Sequence, residues 1–161
     1  MHVVFFDLGD TLGTPRFASG SSRLRGFDPF PNVPRALASL RLDGPRLGVI
    51  SNTPDGESQD SMRRVLEGAG IYAYFDESLL IYSSVVGHKK DSPEVFILAV
   101  VRAGLSASPG ECLFVGEDPG ERAFAAEAGM QALDPGWAVS AEIRLRQSEP
   151  FRRRPVRVIG W

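Results

Sequence analysis

Only one cysteine, Cys112, occurs among the 161 residues, so the chain can form no internal disulfide and fits a reducing compartment. Cys112 lies in the apolar run Cys112-Leu113-Phe114-Val115 and reads as a small buried residue rather than a catalytic thiol. No apolar stretch is long enough to span a bilayer. Met1-His2 leads directly into an apolar run without a signal-peptide pattern, and the expectation is a cytoplasmic protein. A surplus of either charge is missing as well. Lys and Arg number 18 against 20 Asp and Glu, a formal net charge of -2, so nothing global favours nucleic acid or an anionic membrane. Internal repeats and low-complexity tracts are absent. What remains is the composition of a soluble globular domain, 43% hydrophobic and 24% charged, long enough for one real core.

Within that composition, short apolar runs alternate with helix-like segments. His2–Phe6, Leu47–Ile50, Leu79–Tyr82 and Cys112–Val115 read as buried strands, with Gln131–Leu133 a weaker fifth. Val33–Leu42 reads as a helix with Pro34 in its first turn. Ser58–Glu67, Pro93–Ala103 and Glu121–Ala128 read as further helices, each closed by a glycine. This alternation predicts right-handed crossovers and an α/β, Rossmann-like, three-layer sandwich around a mainly parallel sheet. Residues 1–148 are expected to form the core domain. Within it, residues 13–31 are rich in Gly, Ser, Arg, Phe and Pro and read as an irregular flap or loop. Arg16, Phe17, Arg23, Arg25 and Phe27 are its candidate substrate contacts, set against a plainer reading as a solvated loop with one or two Phe packed on the domain. Residues 149–161 form a basic tail carrying Arg152, Arg153, Arg154 and Arg157, with Val156–Ile159 a candidate edge strand.

Each predicted strand ends in a residue suited to handling a phosphate. The first runs through Val3-Val4-Phe5-Phe6 into Asp7, with Asp10 three residues on. The second ends at Ser51-Asn52-Thr53, and the third is followed by Gly87-His88-Lys89-Lys90. The fourth ends at Gly116-Glu117-Asp118-Pro119-Gly120-Glu121. In a parallel sheet those ends lie side by side, at the edge where open α/β folds bind ligands. A carboxylate can attack phosphorus and form an acyl phosphate. Two anions approach one another only with charge compensation, which calls for a hard cation such as Mg²⁺ on oxygen ligands. Hydroxyl and backbone N–H groups would hold the phosphoryl oxygens, and a lysine would neutralise the intermediate and orient the nucleophile.

These four segments, in this order, resemble the motifs of the haloacid dehalogenase (HAD) superfamily of phosphohydrolases. The segments are Phe6-Asp7-Leu8-Gly9-Asp10-Thr11-Leu12, Val49-Ile50-Ser51-Asn52-Thr53, Lys90-Asp91-Ser92-Pro93-Glu94-Val95-Phe96, and Val115-Gly116-Glu117-Asp118 through Ala128-Gly129-Met130. The resemblance implies a Mg²⁺-dependent phosphomonoesterase acting through an aspartyl phosphate. It makes Asp7 the nucleophile, Ser51 the phosphate ligand with Asn52 beside it, and Lys90 the orienting lysine. Lys89 takes that role if the register slips by one. Metal would fall to Asp7, the carbonyl of Gly9, Glu117 and Asp118. The gaps between motifs hold no separate cap domain. That resembles the capless branch, which covers its open site by homo-oligomerising or accepts a large phosphorylated substrate.

Two departures stand out. The family phosphatases usually carry a second Asp two residues after the nucleophile as general acid and base. Here that position is Gly9, and the extra acid is Asp10. The fourth motif usually presents Asp, and here it presents Glu117 and Glu121. A catalytically weak or inactive phosphate-binding regulator on the same scaffold is therefore the alternative function. Carbon–halogen or carbon–phosphorus cleavage is a third reading, in which the second Asp is likewise dispensable.

Overall fold

The computed structural model describes residues 3–42 and 44–136. The tail at 149–161 and its candidate edge strand lie outside the described residues.

Five short strands make one parallel sheet in the order β5-β4-β1-β6-β7: β1 Val3–Phe6, β4 Arg46–Ser51, β5 Leu80–Tyr82, β6 Cys112–Val115 and β7 Gln131–Leu133. β1 is the central strand, paired on one side with β4 and on the other with β6. Its side chains alternate between two cores, as the period of a strand requires. Val4 and Phe6 join the cluster built with Val33, Leu37 and Leu40 of α1 (Val33–Leu42) and Met62 and Leu66 of α2 (Gln59–Gly68). Val3 and Phe5 join the opposite cluster, with Val95, Phe96, Ala99 and Val100 of α4 (Glu94–Ala103) and Ala125 of α5 (Pro119–Glu127). Helices therefore cover both faces, and strands buried on both faces are apolar throughout, which is why they were readable as runs. A short helix, α3 (Ser83–Val86), follows β5.

The helix boundaries follow local chemistry. α2 opens on a reciprocal cap, in which Ser58 Oγ accepts from the Ser61 N–H and Ser61 Oγ accepts from the Ser58 N–H. α4 closes on Gly104 at φ 75°, a left-handed conformation that glycine adopts without strain. Cys112 is fully buried in β6, and burial, with Glu111 adding, pushes its thiol up to about 11, so it stays protonated and inert at neutral pH.

One segment departs from the sequence reading. Residues 13–31, expected as an irregular loop, contain a two-stranded antiparallel hairpin of β2 (Gly13–Phe17) and β3 (Leu24–Pro29). Pro15 and Gly26 disguise it, since both residues disfavour strands. An isolated ribbon has free edges, so a proline that cannot donate to a ladder is tolerated there. Phe27 is buried in the α1/α2 core and anchors the hairpin, whereas Phe17 is half exposed. Arg16 and Asp28 pair across the strands at 2.9 Å with both side chains exposed, a contact of little energetic weight.

β1 and β4 are pressed together at Gly48. A Cβ there would stand 2.7 Å from the Phe5 ring and 2.8 Å from Leu79 Cβ. Gly48→Ala is expected to destabilise the domain by about 1–3 kcal/mol through overpacking. Urea unfolding of the two chains measures it, and an unchanged midpoint would contradict the packing described.

Candidate active site at the carboxyl edge of the sheet

Asp7 follows β1 directly. Its N–H donates to the Val115 carbonyl at 2.9 Å, which fixes the residue between β1 and β6. Its Oδ1 accepts from the Leu8 N–H at 2.7 Å. The chain then reverses: Asp10 adopts φ 53°, a left-handed conformation that Asp tolerates better than most residues, and its N–H donates to the Gly13 carbonyl at 2.9 Å. Asp10 is exposed and serves as the turn residue; its side chain has no described contact with Asp7. At Gly9 an added Cβ would meet nothing within 4 Å, so the place beside the nucleophile candidate is open space.

Lys90 arrives from the loop after α3 and is 4% exposed. Its Nζ lies 2.5 Å from Asp7 Oδ1 and 2.7 Å from Glu121 Oε2. Its backbone N–H donates to Asn52 Oδ1 at 2.9 Å, so the loop after β4 holds the lysine in place. The Phe114 ring lies beneath the ammonium, 5.8 Å from Nζ to centroid. A buried ammonium is tolerable only when its charge is met, and here two carboxylates meet it. Lys89 and His88 are exposed, so of the two lysines it is Lys90 that reaches Asp7.

Ser51 ends β4, buried, with its hydroxyl making only a long 3.4 Å contact to the Asn52 carbonyl. That hydroxyl is free to turn toward a ligand. Asn52 has spent its carbonyl oxygen on Lys90 and keeps its amide donors. Two residues on, the Thr53 N–H donates to Ser83 Oγ at 2.9 Å, and Thr53 Oγ1 and Ser84 Oγ share a bond of 2.7 Å. The loop after β4 is thereby stitched to the start of α3.

The acids after β6 divide their tasks. Gly116, next after β6, makes room for the Phe114 ring, from which a Cβ there would stand only 2.7 Å. The Glu117 N–H donates to Thr11 Oγ1 at 3.1 Å, while the Glu117 residue itself is exposed. Asp118 is the N-cap of α5, its Oδ1 accepting from Gly120 N at 2.7 Å and Glu121 N at 3.0 Å. Arg122 Nη1 donates to the carbonyls of Gly116 at 2.7 Å and Glu117 at 2.6 Å and ties the loop down. Burial pushes the Glu121 carboxyl up; Lys90 pulls it down and Asp7 adds to the rise, with the net direction upward.

Sequence reasoning places Glu121 among the fourth-motif acids without pairing it with Lys90, and assigns no site role to Thr11 or Arg122. The signal for Glu121 was its place as the third residue of α5, in the first turn of a helix that starts at the carboxyl edge of the sheet. The side chains of Thr11 and Arg122 bind main-chain atoms of the loop after β6, partners that leave no pattern in side-chain spacing.

Among the described residues no three His, Cys, Asp or Glu side chains converge as a cage for a metal ion. The donor chemistry nonetheless suits Mg²⁺, which keeps several waters and takes only one or two protein carboxylates. Asp7 Oδ2 accepts no described hydrogen bond, the Glu117 carboxylate is exposed, and both are hard oxygen donors.

A parallel α/β domain with an acid, a hydroxyl, a lysine and a second acid gathered on one sheet edge has the layout of a phosphate-handling enzyme. Comparison with known proteins narrows the class: the chain belongs to the haloacid dehalogenase-like hydrolase family, which it matches over residues 21–129. It is 32% identical over 121 residues to the Dickeya dadantii (strain 3937) protein named "Probable phosphatase IndB", covering 75% of this chain and 49% of that one. It is 30% identical over 121 residues to a phosphoglycolate phosphatase of Salmonella paratyphi A (strain ATCC 9150 / SARB42), covering 75% of this chain and 45% of that one. The chain thus spans about half the length of these relatives. An uncharacterized protein from Listeria monocytogenes serotype 4b has the same fold, with a TM-score of 0.67 at 22% identity over 82% of this chain and 76% of that one. Among the described residues no helix is long and apolar enough to cross a membrane.

Because Glu121 is held above its ordinary range, the native chain binds more protons than the unfolded chain between the usual carboxylate pKa and the raised one. Its contribution to stability therefore falls as pH rises through that window. In chelator, Glu121→Gln is expected to remove this downward component, which begins just above the ordinary carboxylate range at about pH 4. Urea midpoints above that pH test it, and an unchanged pH slope would contradict the assignment.

Proposed function

We propose that the chain is a Mg²⁺-dependent phosphomonoesterase that works through a phosphoryl group carried on Asp7. The observation that carries the reading is the buried Lys90 ammonium bound to Asp7 Oδ1, which leaves Oδ2 as the oxygen free to react. The core at 1–148 works with the hairpin of residues 13–31 as its cover, in the manner of a capless member of the family, and we place it in the cytoplasm.

When bound, Mg²⁺ would offset the repulsion between carboxylate and phosphate, held by Asp7, the Gly9 carbonyl and Glu117, with Asp118 adding negative potential from its cap. Ser51 and the Asn52 amide hold the phosphoryl oxygens. Lys90 neutralises charge that develops between Asp7 and the phosphoryl group. Asp7 Oδ2 attacks phosphorus, the bond to the leaving oxygen breaks, and that oxygen takes a proton from Asp10 or solvent. Water then attacks phosphorus, cleaves the acyl phosphate, releases inorganic phosphate and restores Asp7. The substrate is a phosphate monoester; the relatives named as phosphatases support that class.

A second reading, phosphate binding with little turnover, is favoured by one observation. No side chain stands at position 9 to protonate the leaving group, and the space there is open.

One assay separates the two. Wild type is expected to hydrolyse an aryl phosphate, which needs no acid, far better than an alkyl phosphate, and only with Mg²⁺ present. Asp7→Asn should abolish both activities. Gly9→Asp should raise alkyl-phosphate turnover by about 100- to 10,000-fold, the usual worth of general acid catalysis. Equal aryl-phosphate rates in wild type and Asp7→Asn would refute the phosphatase reading.

A further inference from the structure

A second cavity, with one mainly apolar and one mainly polar lobe, lies between the tip of the hairpin and the start of α2. It consists of two adjoining lobes of about 460 and 430 Å³ that share Arg23, Glu57, Ser61 and Arg64. The first lobe has a floor of Ala18, Leu24 and Val65 and a further cation, Arg25. The second is rimmed by the hydroxyl-bearing Ser21, Ser22 and Ser58 and by one acid, Asp55.

The wall between the lobes is built rather than incidental. Glu57 is buried at 7% exposure, and both its oxygens are engaged: Oε1 accepts from the Leu24 N–H at 2.9 Å and Oε2 from the Ser61 hydroxyl at 2.5 Å. Glu57 is thus a strut that fastens β3 to α2, each of its oxygens accepting one hydrogen bond. The arginines differ. Arg23, Arg25 and Arg64 are exposed, and none of their guanidinium groups has a hydrogen-bond or ion-pair partner among the described residues. Elsewhere the described arginines near acids are paired: Arg16 with Asp28, Arg46 with Asp76 and Arg63 with Glu67. Three unpaired guanidinium groups facing one cavity, above an apolar floor, suit an oxyanion on a short hydrocarbon stem.

Topology places this cavity on the same side of the molecule as Asp7. β2 leaves the turn that follows Asp7, and α2 leaves the loop that follows Ser51 at the carboxyl end of β4. We propose that the hairpin–α2 cavity is a second anion-binding site, which holds a carboxylate or phosphate at the far end of the substrate, so that the preferred substrates are phosphate esters of acidic leaving groups. The identity of the ligand rests on the phosphohydrolase reading; the cavity and its arginines do not.

The test uses ω-carboxyalkyl phosphonates of increasing chain length, which cannot be hydrolysed, beside ω-hydroxyalkyl phosphonates of the same lengths. Calorimetry on the full chain with Mg²⁺ is expected to show about tenfold or tighter binding of the carboxylate series at one optimal length. The double variant Arg23→Gln/Arg64→Gln should bring the two series to equal affinity, while Arg35→Gln on α1 should leave the preference intact. Equal binding of both series by wild type at every length would overturn the proposal. So would a preference that survives the double variant, or one lost equally in Arg35→Gln. A parallel turnover assay with the matching phosphates separates the two readings. Arginine-dependent binding without Asp7-dependent turnover would defeat the phosphohydrolase reading and leave this site standing. Turnover that ignores the remote carboxylate in wild type would do the reverse.

Discussion

The structure depends on one buried charge. The Lys90 ammonium is withdrawn from water between Asp7 and Glu121, and each element that reaches it does so for that purpose. Asn52 pins its backbone, the Val115 carbonyl at the end of β6 accepts from the Asp7 N–H, and α5 begins with a cap that engages the Glu121 N–H. Withdrawing one partner from such a group typically costs about 3–5 kcal/mol, because an unmatched charge is left behind. The interaction thus joins the carboxyl ends of β1 and β6, the loop after β4 and the loop after α3 into one unit. The same unit is where phosphate chemistry would occur, so stability and chemistry share residues.

Charge bookkeeping at this edge also explains why a cation is expected. Two carboxylates share one ammonium, Glu117 and Asp118 lie close by in sequence, and the described residues bring no further cation to Asp7. A phosphate dianion entering there meets surplus negative charge unless Mg²⁺ accompanies it. Asp118 shows how a residue of the right type can be committed elsewhere: its Oδ1 closes the first turn of α5. Gly9 shows the opposite case, a position with room for an acid and none present.

Much of this was legible in the chain. Strands buried on both faces must be apolar along their whole length, so β1, β4, β5 and β6 stand out, and the residues after them fall at the ligand edge. Asp7, Ser51 and a lysine after the third strand followed from that placement; the family resemblance picked Lys90, with Lys89 as the alternative. Four motifs in order then gave the family, which the match over residues 21–129 bears out. The hairpin was not legible, because Pro15 and Gly26 mask a ribbon held by one buried anchor, Phe27. Nor was the partnership of Glu121 with Lys90, which depends on how α5 leaves β6. Main-chain contacts such as those of Thr11 and Arg122 lie beyond any reading of side-chain order.

The hairpin runs from the Asp7 turn to the second cavity. It grows from the turn after Asp7, is fastened to α2 through Glu57, and carries two of the three unpaired arginines. In the proposed reading this ribbon covers the site. The central claim is that Asp7, poised by Lys90, forms a bond to phosphorus. Rapid acid quenching of the protein with Mg²⁺ and an aryl phosphate, followed by peptide mass spectrometry, tests it most directly. The account predicts a phosphoryl adduct on Asp7 during turnover; turnover with no adduct, or with the adduct on another residue, would contradict it.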